Sequence, residues 1–305
     1  MFHTKPTCVV ATAVVAGLLG AWLAAVPAAD SPADAKRLAN PFYAYCVGYG
    51  ANPENYSLKS QCELAPIMAN LGYAGTACVG LDWATELLAT LEKNGQKLMA
   101  VYTALVVDPG ARGYDPKLRE LIPKLKGHGT VVWLVLNSKS AKPSTTGADD
   151  RAVELLRELA DLAQNSGLSI SLYPHIGAYA QRIEDVVRLA KKTDRPNVGV
   201  TFNLCHFLAL DEAKNLETAL TAARPYLTMV TINGTSGYDP KNRAGWIQLL
   251  GEGTFDVAGV LRILKKIEYR GPIGVQAYGI NGDHREILSR TMQAWKKLSA
   301  QAAAN

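Results

Sequence analysis

The chain has 305 residues and a formal charge of +5, a basic bias too mild to suggest a nucleic-acid footprint, and no Lys/Arg run supports one. With 48% hydrophobic and 19% charged residues it lies far from the signature of disorder, and 26 Gly and 15 Pro spread along its length exclude collagen-like and low-complexity sequence. No short solenoid-type repeat is present, which leaves a packed chain of one large domain or two small ones.

Lys5 precedes an uncharged apolar run from Cys8 to Val26, and the small residues Ala28 and Ala29 are followed at once by Asp30 and the polar SPADAKR. This pattern predicts a signal peptide over 1–28 and a linker over 29–40, hence a protein exported to the periplasm or outside the cell, with no membrane insertion after cleavage. The run exceeds the about 7–15 residues of a signal core and approaches the ~20 that span a bilayer, so an uncleaved N-terminal anchor is the alternative. Beyond the leader stand Cys46, Cys62, Cys78 and Cys205, with no CxxC. Free buried thiols are expected from so sparse a set, and any bridge would be sought first among Cys46, Cys62 and Cys78.

From Asn40 onward short apolar runs alternate with longer amphipathic ones. The predicted strands are Phe42 to Val47, Gly75 to Gly80, Lys97 to Leu105, Thr130 to Leu136, Leu168 to His175, Asn197 to Asn203, Leu227 to Asn233 and Pro272 to Tyr278. Most are almost continuously hydrophobic, as strands covered on both faces are. Between them, Asp149 to Gly167 opens with acids, carries leucines at three- and four-residue spacing and closes on glycine. Ala178 to Asp194 and Phe255 to Gly271 repeat that plan, the latter running into Pro272. Strands alternating with helices in this number and length predict an α/β fold, a parallel eight-stranded (β/α)₈ TIM barrel over 41–305 as one domain. A doubly wound open sheet is the competitor, but the first strand-to-helix connection has no GxGxxG and no phosphate loop is found.

In such a barrel chemistry sits at the carboxyl ends of the strands. Strand five ends in Tyr173, Pro174 and His175; strand six in Asn203, Leu204, Cys205 and His206; strand seven in Thr231, Ile232 and Asn233; strand eight in Gln276, Ala277 and Tyr278. Strand three adds Tyr102 and Thr103, and strand four adds Asn137, Ser138 and Lys139. His175 and His206 are expected within reach of one substrate, flanked by the amides of Asn203, Asn233 and Gln276. His3, His128 and His284 fall in the leader, between two glycines and in a charged loop.

Three stretches, SLYPH, VGVTFNLCH and LLGEGTFDVAGVLRILKKIEYRGPIGVQ, together with ANLGYAGTACVG near Gly72, carry a resemblance to the xylose isomerase-like sugar phosphate isomerase/epimerase superfamily. The resemblance covers nearly all of the chain after the leader and is strongest from strand five onward. It implies a metal-dependent barrel of the kind that includes tagatose-type epimerases and hydroxypyruvate isomerases. Members hold one divalent cation, Mg²⁺ or Mn²⁺, with a strand-five Glu, a strand-six Asp, a strand-seven His and a strand-eight Glu, and the two glutamates move protons. The matching positions here are Tyr173, Asn203, Thr231 and Gln276, so the implied metal's ligands are replaced and no metal or other cofactor is expected.

What remains is acid/base chemistry without carboxylates. His175 and His206 have the right unperturbed pKa, and Tyr173 can donate a hydrogen bond or act as an acid. Asn203, Asn233, Gln276, Asn137, Tyr102 and Tyr278 are expected to bind hydroxyls or stack on a ring, Lys139 to supply positive charge, and Glu252, in the Gly-Glu-Gly turn, to pair with Arg243, cap a helix or meet the substrate. Asp108, before Pro109, reads as a turn residue. The loop from Ser236 to Trp246 is long and polar and either covers the pocket or lies exposed. The expected partner is a small-molecule carbohydrate. The reactions in view are isomerisation or epimerisation by proton transfer, carbohydrate binding without turnover, or lyase or hydrolase action on a modified sugar. The sequence names neither the sugar nor an oligomeric state.

Overall fold

A computed structural model describes residues 37–50, 56–210 and 213–304; the leader at 1–28 and the linker up to residue 36 lie outside the described residues, as does Cys8. The strands are β1 (Phe42–Tyr45), β2 (Gly75–Val79), β3 (Lys97–Val106), β4 (Val131–Asn137), β5 (Ser169–Leu172), β6 (Val198–Asn203), β7 (Leu227–Ile232) and β8 (Ile273–Gln276). They pair in chain order, all parallel, and β8 returns to β1, so the sheet closes into the expected barrel. Helices α1 (Leu58–Leu71), α2 (Ala84–Lys93), α3 (Lys117–Lys124), α4 (Asp149–Asn165), α5 (Ile183–Thr193), α6 (Leu204–Leu210), α7 (Leu216–Ala223), α8 (Val257–Lys266) and α9 (His284–Ala304) connect and enclose the strands. Among the described residues no helix is long and apolar enough to cross a membrane.

Successive side chains of a strand point to opposite faces, so each strand feeds two separate cores. Phe42 and Ala44 of β1 and Val132 and Leu134 of β4 point outward into the layer packed by the helices. Tyr43, Tyr45, Ala77, Ala100, Trp133, Tyr173 and Met229 fill the barrel interior. The interior is therefore unusually aromatic, and small partners make room for it. A Cβ on Gly274 of β8 would stand 2.2 Å from the Tyr43 ring, so glycine is the residue that lets the tyrosine lie across the axis. These stacked rings form the floor of the space above.

Several predicted boundaries are corrected. The helix expected over Ala178 to Asp194 begins at Ile183, because its first residues are tied to strand β4 and the loop after it: the Tyr179 N–H donates to Leu136 O at 2.8 Å, and Tyr179 O accepts from the Ser144 N–H at 2.9 Å. The helix expected to run to Gly271 ends at Lys266, with Glu268, at φ 56°, taking the left-handed conformation and the Tyr269 N–H reaching back to Leu264 O at 2.9 Å. Strand β5 stops at Leu172 and β6 gives way directly to α6, so His175 and His206 leave their strands before they reach the pocket. The four cysteines of the described residues are free, Cys62 half-buried and Cys46, Cys78 and Cys205 buried.

Candidate functional site

Two local signals place the histidines. Pro174 has no N–H to continue the ladder, so the chain turns after Tyr173 and carries His175 inward. On β6, Asn203 ends the strand and caps the next helix: its Oδ1 accepts the His206 N–H at 3.0 Å, which fixes His206 in the first turn of α6. The two imidazoles meet with ring centroids 4.1 Å apart.

They border a cavity of about 430 Å³ at the carboxyl ends of the strands, lined also by Tyr45, Cys46, Tyr49, Val79, Tyr102, Tyr173, Ile176, Arg243, Trp246, Ile247, Gln276 and Tyr278. No carboxylate is among these residues. Tyr102 and Tyr173 stand edge to face with centroids 5.3 Å apart, and His206 is edge-on to Trp246 at 5.7 Å. Burial pushes the His206 imidazole well below its usual pKa, and the neighbouring His175 pushes the same way. His175 is also lowered by burial, against the smaller opposite effect of its bond to the Ile176 carbonyl. Both rings are neutral at pH 7. In that bond Nδ1–H donates to Ile176 O at 2.8 Å, which leaves the lone pair on Nε2. The Nδ1 of His206 is buried with no partner. Burial raises the Tyr173 hydroxyl well above its ordinary range, so it keeps its proton.

Asn203 lies just beneath, holding the floor together. Its Nδ2 donates to Tyr173 Oη and, at 2.7 Å, to Thr231 Oγ1, while its Oδ1 accepts from the Cys205 thiol at 2.9 Å as well as from His206. Three of the four positions that correspond to a metal-ligand set are thus bonded to one another. The fourth, Gln276, is buried with its Oε1 unpartnered. These groups do not fit a hard divalent cation: they are neutral, and the Asn203 oxygen is already occupied by two donors. Among the described residues no group of three His, Cys, Asp or Glu side chains is arranged to hold a metal.

Six of the side chains singled out by the sequence, Tyr102, Tyr173, His175, His206, Gln276 and Tyr278, line this one cavity. Others stand elsewhere. The Asn233 amide donates to Gly234 O and Trp246 O, anchoring the following loop. Asn137, half-buried at the end of β4, does not line the cavity. Lys139 is exposed, and its backbone N–H is held by Asp108, which also accepts from Ser138 and Ser140 and so ties the β3 loop to the β4 loop. Glu252 pairs with Arg290 at 2.6 Å in a separate groove beside α9, away from Arg243. The loop after β7 does reach the cavity. Trp246 donates its Nε1–H to Cys205 O at 2.6 Å, and Arg243 lies over the same indole. Tyr49 and Cys46 complete the lining without having been expected there.

No protein of curated function matches the sequence. Among solved structures, D-allulose 3-epimerase from Methylomonas sp. shares 19% identity, with a TM-score of 0.65 over 86% of this chain and 98% of that one. The 3-keto-D-glucoside 4-epimerase of E. coli shares 17%, with a TM-score of 0.64 over 85% and 99%. A xylose isomerase-like protein from Mycobacterium smegmatis in complex with magnesium shares 16%, with a TM-score of 0.62 over 87% and 98%. At such identities the likeness establishes a shared fold. The sequence profile of the xylose isomerase-like TIM barrel family matches residues 124–298, more than half of the chain, and with the closed parallel barrel this makes the protein a member of that family.

Proposed function

We propose that the protein is an exported sugar isomerase or epimerase that moves a carbon-bound proton with imidazoles in place of metal-bound carboxylates. The observation that carries this reading is the contact of two neutral histidines, ring centroids 4.1 Å apart, in one carboxylate-free cavity. Proton abstraction beside a carbonyl needs a base that is unprotonated near neutral pH and a donor for the developing oxyanion. His175 Nε2 is the base: it takes the proton, and the C–H electron pair becomes the enediol double bond while the carbonyl π pair moves to oxygen. Tyr173 is the donor, since its oxygen already accepts from Asn203 and its own O–H is free for the oxyanion. Isomerisation follows when His175 returns the proton to the former carbonyl carbon while the hydroxyl proton of the carbon it came from passes to the oxyanion, so that the carbonyl re-forms one carbon over. Epimerisation follows when the enediolate, turned over in the cavity, takes the abstracted proton back on its opposite face, His206 having received that proton from the His175 imidazolium across their ring contact. Gln276 and the aromatic wall bind hydroxyls and ring faces.

A second reading, carbohydrate binding without turnover, is favoured by the mutual hydrogen bonds of Tyr173, Asn203 and Thr231, which occupy groups that a catalyst of this family would direct at a cation. Nuclear magnetic resonance of a panel of aldoses and ketoses in D₂O separates the two. Incorporation of solvent deuterium at a carbon next to the carbonyl is the expected result, whereas saturable sugar binding with no incorporation leaves the binding protein.

A further inference from the structure

The cavity holds one formal charge, and nothing in the proton-transfer reading uses it. Among the described residues Arg243 is the only charged side chain on the lining. It belongs to a short 3₁₀ turn, Arg243–Gly245, started by Asn242, whose Oδ1 accepts the Ala244 N–H at 3.2 Å. Several arginines on the outside of the barrel are matched to carboxylates, Arg188 to Asp185 and Asp149, Arg195 to Asp161 and Arg290 to Glu252, while Arg157 is held by the backbone carbonyls of Lys192 and Thr193. Arg243 makes no ion pair with any described residue. Its Cζ instead lies 5.4 Å from the centre of the Trp246 ring.

That indole is itself fixed. Its N–H is held by Cys205 O, its edge meets His206, and Tyr238 packs on it at 5.0 Å. Guanidinium and imidazole thus contact the same side chain, one indole apart. The remaining lining is neutral, so no fixed charge opposes an anion that enters, and a neutral sugar would leave the five-donor fork without a charged acceptor.

We infer that Arg243 binds a carboxylate of the substrate, which makes the ligand of this cavity a sugar acid, with its carbonyl at His175 and His206 and its carboxylate over Trp246. This substrate class rests on the proton-transfer reading for the placement of the carbonyl. The planar guanidinium matches a carboxylate with two parallel N–H···O bonds. A phosphate ester is the weaker fit, because the lining offers no second cation and the first turn of α6, which borders it, already has its His206 N–H taken by Asn203 Oδ1.

Calorimetric titration of the intact protein at low ionic strength tests this, with glucuronate, galacturonate and 2-ketogluconate against glucose, galactose, fructose and glucose 6-phosphate. At least one acid is expected to bind about tenfold more tightly than its neutral counterpart, the contribution of a charge-assisted pair that stays in contact with water. Added salt is expected to weaken that preference. Arg243→Met should bring the acid-to-neutral affinity ratio close to one, and Arg243→Lys should keep part of it. Equal affinities for acids and neutral sugars, no acid bound at all, a preference untouched by Arg243→Met, or a hexose phosphate bound more tightly than every acid would each overturn the inference. Deuterium incorporation, followed in the same samples, reports separately. An acid preference without incorporation upholds the carboxylate subsite and removes proton transfer; incorporation into neutral sugars without an acid preference does the reverse.

Discussion

Replacing His175 or His206 by alanine is expected to lower deuterium incorporation by about 10²–10⁴-fold, the usual contribution of a positioned acid or base. The loss should fall on the rate at saturation more than on binding, since hydroxyl contacts and the aromatic wall remain. His206 also packs against Tyr173 and Trp246, so an alanine there changes shape as well as chemistry. His206→Phe separates the two: it keeps a ring in place and cannot carry a proton. An incorporation rate in His206→Phe equal to that of the wild type would remove this residue from the mechanism. The same variants carry a pH signature. Both imidazoles lie below the ordinary histidine value of 6.5 because they are buried, so the wild-type rate should hold on the acid side of pH 6.5 and fall only as the depressed values are crossed. Stability follows the same sign. An unfolded chain binds protons at these histidines near pH 6.5 while the folded one does not, so their contribution is present above that pH and is lost as pH falls through the folded values. His175→Ala and His206→Ala should therefore be less acid-sensitive in denaturation than the wild type.

Trp133→Ala is expected to cost about 3–5 kcal/mol of stability, the range for deleting a fully buried large aromatic side chain. Trp133 is completely inaccessible at the barrel axis and touches Tyr43, Tyr45 and Tyr173, with centroids 6.1, 4.9 and 5.3 Å away. It therefore supports the ring whose hydroxyl faces the cavity, and its loss should weaken sugar binding along with the fold. Trp133→Phe should cost much less, below about 1.5 kcal/mol, since an aromatic filler stays and the indole N–H, which is buried with no partner, is removed. Equilibrium urea unfolding of both variants decides it. An alanine variant within about 1 kcal/mol of the wild type would mean that the interior does not depend on this packing.

The barrel was readable because strands buried on both faces write themselves as unbroken apolar runs, such as TVVWLVL and NVGVTFN, separated by amphipathic helices. The paired histidines were readable for a related reason: strand order and direction alone bring the ends of β5 and β6 side by side. What escaped depends on partners distant in the chain. Glu252 is claimed by Arg290, 38 residues on, and the backbone of Lys139 by Asp108, 31 residues back, and neither attachment leaves a local pattern. Asn233 stands at a strand end, yet its amide is spent on the carbonyls of Gly234 and Trp246. The first residues of the expected helix at Ala178 were claimed by β4, a tertiary contact that overrides a helical pattern. Tyr49 and Arg243 sit in loops, where periodicity says nothing about direction. The long polar stretch from Ser236 to Trp246 was the available sign of the loop that brings Arg243 and Trp246 to the cavity.

The most direct trial of a barrel that transfers protons through imidazoles is the incorporation rate on its best sugar after the protein has been exhaustively dialysed against a strong chelator. The neutral, mutually bonded set of Tyr173, Asn203 and Thr231 predicts an unchanged rate, and no gain on adding Mg²⁺ or Mn²⁺. A rate that disappears with the chelator and returns with either cation would contradict the account.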